Sequence, residues 1–318
     1  MFLKEDRNNR SWTSRLLAAL FRPFMPEEVL PELPHLLFHS GPRPGGSVPV
    51  TNWYSWMVDD RPDNRYSMCS LSRIDYCKCT DGAEHEFLLF YFRHFISSAE
   101  AVVCADRTVE RGNGSRQSSD IISPSSKETA ASDHALLLGS PEDAVRHLRD
   151  KPGHYRKLCT LTFSPSSAPS ALHVAAVLCL VHQQAPAYNL YEQQCYWYAD
   201  SVWMSLKKLF SQNQESCKDH NARTHYCGVA MSRPSSATVE AVCAAYPPEW
   251  QKTMDKLTQV KQCREAELAQ SRQEGFTEAE QAADERVRRA DERVCRVQAE
   301  NEQLRARLAA LEGRTTAI

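Results

Sequence analysis

The chain has 318 residues, of which 42% are apolar and 25% charged, with a net charge of −2. That length supports one or two domains with a real core. The near-neutral balance, with basic residues scattered along the chain, argues against a nucleic-acid partner or an anionic membrane surface. The longest apolar run, residues 171–181, is interrupted by His173, and a membrane span needs about 20 apolar residues. Leu16 to Phe21 is too short for a signal-peptide core and lacks a small-residue cleavage site. A soluble, intracellular, cytoplasmic protein without a transmembrane segment is expected.

Residues 1–60 read as a partly disordered arm. It holds one amphipathic helix, Ser11 to Phe21 with Ser11 as N-cap, and then Pro23, Pro26, Pro31, Pro34 and the loop "GPRPGG". "LSRIDY" at 71–76 is a weak strand. "EHEFLLFYFRHF" at 84–95 is large and apolar at nearly every position, which predicts a strand buried on both faces. "AEAVVCADRTV" at 99–109 predicts a second strand, joined to the first by a hairpin-sized connection. Residues 110–133 are rich in Ser, Gly and charge without periodicity, which predicts a flexible insertion.

"SPEDAVRHLRD" at 140–150 carries an N-cap Ser140, Pro141 at the first helical position and acidic residues in the first turn, and so predicts a helix. "KLCTLTF" at 157–163 predicts another strand. Residues 171–183 predict an apolar helix capped by Ser170. Ala199, Val202, Leu206 and Leu209 recur at helical spacing, and Cys195 falls on the same stripe at the start of that helix. The predicted organisation is an α+β domain over 61–215, a linker over 216–248, and a long helix over 249–313.

The C-terminal pattern is sharper. "ADERV" at 283–287 recurs at 290–294, a shift of seven. In that register Val287, Val294, Asn301 and Leu308 occupy a, and Ala290, Val297, Leu304 and Leu311 occupy d. The facing g and e positions pair Arg286 with Asp291, Glu300 with Arg305 and Arg307 with Glu312. A lone Asn at a favours two strands in register. The expectation is a coiled coil over 283–312 forming a parallel homodimer. Upstream, over 251–276, the heptad weakens, and Gly275 predicts a stutter, hinge or break.

Twelve Cys residues are spread singly through apolar segments, so reduced thiols are the expected state. Only Cys77 and Cys79 lie close together, and their spacing is tighter than zinc pairs use. With no P-loop, dinucleotide fingerprint or zinc signature, no cofactor is implied.

A thiol nucleophile needs a base and benefits from the partial positive charge of a helix start. Cys195 has the second by position, and His85, opening a buried strand, is the candidate base. "HEFLLFYF" at 85–92 and "YNLYEQQCYWYA" at 188–199 resemble the His-strand and Cys-helix motifs of the permuted NlpC-type, papain-like enzymes. That group includes the lecithin:retinol acyltransferase-like proteins. Gln194 stands where the family usually has Asn.

The resemblance implies a papain-like α+β fold with a small antiparallel sheet. It makes Cys195 the nucleophile, His85 the base and Glu100 the third polar residue, with Ser97 and Ser98 close by. The substrate would be a peptide or an acyl amide or ester. Tyr188, Tyr191, Tyr196, Trp197, Tyr198 and Trp203 line either an apolar cleft or the core. The alternative reading is a catalytically inactive scaffold whose working part is the coiled coil.

Overall fold

A computed structural model of the chain describes residues 33–38, 46–59, 65–80, 84–109, 129–150, 154–188, 194–231 and 233–315. The Ser11 to Phe21 helix, Tyr191 and the centre of the 110–133 insertion lie outside these residues. The chain divides into two units, Met1–Met254 and Asp255–Ile318.

The first unit is an α+β domain. Its strands are β1 Ser47–Pro49, β2 Cys69–Cys79, β3 Glu86–His94, β4 Glu100–Val109, β5 Thr129–Gly139, β6 Tyr155–Phe163, β7 Ala187–Tyr188, β8 Asn213–Cys217, β9 His225–Tyr226 and β10 Val229–Ala230. Its helices are α1 Val50–Asp59, α2 Pro141–Asp150, α3 Ala171–Gln184 and α4 Cys195–Leu209, together with the first part of α5, Ser236–Thr315. The main sheet is antiparallel in the order β1-β5-β4-β3-β2-β6-β8, with β7 added alongside β5; β9 and β10 form a separate hairpin.

β3 is central because its side chains are apolar on both faces. Phe87 and Leu89 join Cys77, Val102, Cys104 and Leu138 against Ala144 and Leu148 of α2. On the opposite face α4 packs over β3 and β4, and Tyr76 of β2 meets Trp203 of α4 edge-on at 5.6 Å. Burying each such aromatic contributes about 1.5–3 kcal/mol relative to exposure. α3 is buried almost all round and begins with a capping box in which Ser170 and His173 each bond the other's backbone N–H. The expected caps at Ser140 and Ser170 are both present: the Ser140 hydroxyl accepts from the Asp143 N–H at 3.2 Å.

Four expectations are corrected. The 1–60 arm holds more than the one expected helix: β1 pairs with β5, and α1 buries Val50, Trp53, Met57 and Val58. Those residues follow helical spacing, but the prolines before them dominate the local sequence. The 216–248 linker holds the end of β8, the β9–β10 hairpin and the start of α5, which passes through Pro247 and Pro248. Each interior Pro costs roughly 3 kcal/mol. The loss is offset by Val239 and Val242, which are buried, and by Trp250, which stacks on His173 at 3.8 Å.

The helix also continues through Gly275, which excludes the break among the expected stutter, hinge or break, since one Gly costs only about 1 kcal/mol in a helix. Finally, Cys159 and Cys217 form a disulfide, while the other ten cysteines are outside any disulfide. The two are directly opposed on β6 and β8, a proximity that sequence spacing does not reveal.

The second unit is the remainder of α5. Val287, Val294, Val297, Leu304 and Leu308 are all exposed on it, and Glu285 bridges Arg288 and Arg289. Among the described residues no helix is long and apolar enough to cross a membrane.

Candidate functional site

His85 lies one residue before β3, its ring stacked on Phe87 at 6.3 Å. β3 and β4 pair Leu88 with Ala105, which brings Asp106 toward the His85 end of the hairpin. His85 Nε2 sits 3.5 Å from Asp106 Oδ2, an ion-pair contact whose geometry falls short of a hydrogen bond. The His85 side chain is 29% exposed as a whole, yet Nε2 itself is buried.

Cys195 is the first residue of α4, next to an N-cap Gln194 in extended conformation whose side chain makes no cap bond. The first backbone bond of the helix runs from the Tyr198 N–H to the Gln194 carbonyl at 3.0 Å. The N–H groups before it are therefore left at the positive end of the helix dipole, beside Cys195. Cys195 is 6% exposed and lies near enough to the His85 imidazole to raise its pKa. Burial pulls the His85 imidazole toward its neutral form, but Asp106 and Cys195 outweigh it and hold its pKa well above the usual 6.5. The chain thus brings a thiol, an imidazole and a carboxylate to one place.

Glu100 is not that carboxylate. It opens β4 at the far end of the hairpin, paired with Arg93. At about 3.3 Å per strand residue this is more than roughly 20 Å from His85. Ser97 lies in the same distant turn, where its hydroxyl contacts His94 Nδ1 at 2.9 Å. In an antiparallel hairpin, partners are equidistant from the turn. Counting outward from the turn in the observed register puts position 108 opposite His85, two residues from Asp106 on the same face of the sheet; counting forward from His85 points to neither.

Four of the aromatic residues are core. Tyr196, Trp197, Tyr198 and Trp203 are all buried, so they do not form an open cleft. Two buried charge networks hold them. In one, the Arg107 guanidinium forks onto Asp133 with both bonds at 2.7 Å. It also donates to the Ala185 carbonyl and lies 5.0 Å from the rings of Trp197 and Tyr198. His182 Nδ1 completes this network at 2.7 Å from Asp133.

In the other network, Lys78 bridges Glu84 at 2.9 Å and Glu86 at 3.6 Å. Tyr76 donates to Glu86 at 2.5 Å, and the Thr224 N–H donates to it at 3.0 Å. Arg223 pairs with Asp200. The Tyr196 hydroxyl donates to the Glu84 carbonyl at 3.1 Å. That bond ties the residue after Cys195 to the residue before His85.

Comparison with protein-family models, curated proteins and solved structures returned no match for this chain. Its functional reading therefore rests on the Cys195–His85–Asp106 arrangement and its supports.

Proposed function

We propose that residues 61–215 form a permuted NlpC-type, papain-like domain similar to the lecithin:retinol acyltransferase-like proteins. It acts as a thiol hydrolase or acyltransferase on amide or ester bonds. The observation that carries this reading is Cys195 at a helix start beside His85, with Asp106 on the imidazole. The Cys195 sulfur, as thiolate, attacks the acyl carbon, and His85 gives its proton to the departing amine or alcohol. The resulting thioester is opened by water or a second nucleophile, which loses its proton to His85. Asp106 orients the ring and stabilises the imidazolium. The cycle returns every proton and needs no cofactor.

The ten cysteines that form no disulfide fit a reducing compartment, and we place the protein in the cytoplasm. The exposed apolar positions of α5 support a parallel homodimeric coiled coil over 283–312, with Asn301 setting the register. The same stripe also favours a second reading, in which the domain is an inactive scaffold and oligomerisation is the activity. Gln194 in place of Asn and the low exposure of Cys195 point the same way.

Alkylation by an iodoacetamide probe at pH 6, read at the Cys195 peptide by mass spectrometry, separates the two. The enzyme reading expects Cys195 to be modified faster than the exposed Cys227, Cys263 and Cys295, and His85→Ala to remove the difference. Equal or slower labelling of Cys195 in the wild type leaves only the scaffold.

A further inference from the structure

Cys159 of β6 and Cys217 of β8 face each other across an antiparallel edge pair. The chain then turns through Lys218 and Asp219, whose N–H groups both donate to the Leu158 carbonyl, at 2.9 and 3.3 Å. That turn returns His220 to the two sulfurs. One ligand atom from each of Cys159, Cys217 and His220 lies within 4.8 Å of the others. Cys159 is buried, Cys217 half-buried and His220 exposed, and the His220 ring has no hydrogen-bond partner among the described residues.

In a tetrahedral site with metal–sulfur bonds of about 2.3 Å and metal–nitrogen bonds of about 2.0 Å, ligand atoms stand roughly 3.3–3.8 Å apart. The three ligand atoms lie within 4.8 Å of one another with the two sulfurs bonded, so the sulfurs must part for an ion to enter. Cys217 and His220 lie on the exposed side of the cluster, from which an ion would enter once the sulfur–sulfur bond is broken.

We propose that Cys159, Cys217 and His220 form a redox-gated site for a thiophilic divalent cation, with the chemistry of zinc. In the oxidised state the clasp is the disulfide. A dithiol reductant opens it: two electrons and two protons pass to the cysteine sulfurs, and the reductant becomes the disulfide. The cation then displaces the two thiol protons and takes two thiolates and the His220 imidazole, leaving a fourth position for water.

Either state pins β8 to β6. β8 leads directly into the segment that delivers Arg223 to Asp200 and the Thr224 N–H to Glu86. The site therefore sits at the root of the charge network beside Tyr196. This assignment does not depend on the thiol-acyl reading.

The test is cobalt titration of the full-length protein, anaerobically, before and after reduction with a phosphine. The reduced wild type is expected to take one equivalent of Co²⁺. It should show a thiolate-to-cobalt charge-transfer band that one equivalent of Zn²⁺ abolishes. The oxidised wild type should show no band. Cys217→Ser should lose the band, and His220→Ala, an exposed substitution that leaves the core intact, should weaken cobalt binding about tenfold or more. No band in the reduced wild type overturns the proposal. So does a band that survives both Cys217→Ser and His220→Ala, because it then belongs to other thiols.

Discussion

His85 and Asp106 come together at one end of the β3–β4 hairpin, Nε2 3.5 Å from Oδ2, although 20 residues separate them in the chain. Against the pull of burial, the carboxylate and Cys195 together raise the pKa of the imidazole. Asp106→Asn is therefore expected to slow alkylation of Cys195 at pH 6 by about tenfold or more, while Glu100→Gln leaves the rate unchanged. The site-specific labelling rate checks both. Equal effects from the two substitutions would remove Asp106 from the site.

Glu86 is fully buried, and burial pushes its carboxyl up to about 7 despite the Tyr76 hydroxyl, Lys78 and the Thr224 N–H. The native state then holds a proton that the unfolded chain releases near the usual 4.5. Glu86 thus makes stability fall as pH rises from about 4.5 to 7, by up to about 3 kcal/mol. Glu86→Gln is expected to remove this fall and to unfold at higher denaturant than wild type at pH 8. A parallel pair of midpoint-versus-pH curves would refute the assignment.

His173 works in the opposite direction. Its ring is packed against Trp250, and burial pulls its pKa down to about 4. The unfolded chain binds the proton first, so this residue lowers stability as pH falls from 6.5 toward 4. His173→Phe keeps the stacking and is expected to flatten the acid side of the thermal-melting profile between pH 6.5 and 4. An unchanged slope there means that another group governs it.

Removing the Asp133 carboxylate leaves the Arg107 guanidinium buried without its counter-ion. Asp133→Ala is expected to destabilise the domain by roughly 3–5 kcal/mol. Replacing Arg107 and Asp133 together with apolar residues should cost much less than the sum of the single changes. Denaturant titrations over this double-mutant cycle read the coupling, and strict additivity would contradict the pairing.

Leu304 occupies a d position on the exposed stripe of α5. If that stripe pairs with a second copy, sedimentation at micromolar concentration gives a dimer, and Leu304→Asp gives a monomer. A wild-type monomer sinks the coiled-coil proposal.

Much of the fold was legible because it is written locally. The all-apolar run at 86–94, the Ser140 and Ser170 caps and the heptads after Ala283 each state their element within a few residues. Cys195 at the start of α4 was legible for the same reason, since its stripe repeats at helical spacing. β5 escaped notice because its first residues continue the polar composition of the insertion. α1 escaped because its reason to be a helix is Trp53 and its neighbours buried against the rest of the domain.

By itself, the sequence determined the strands over 71–76, 84–95, 99–109 and 157–163, the helices that begin at Pro141, Ala171 and Cys195, and a long C-terminal helix, and it offered a helix-start cysteine and His85 as candidate chemistry. Only the tertiary structure decided that Asp106, not Glu100, stands beside His85, that Cys159 meets Cys217, and that the aromatic run around Cys195 is core held by buried charges. The physical reason is range. Caps, periodicity and turns act over a few residues, whereas strand pairing and the burial of charge join residues tens of positions apart, through contacts that exist only once the sheet has formed.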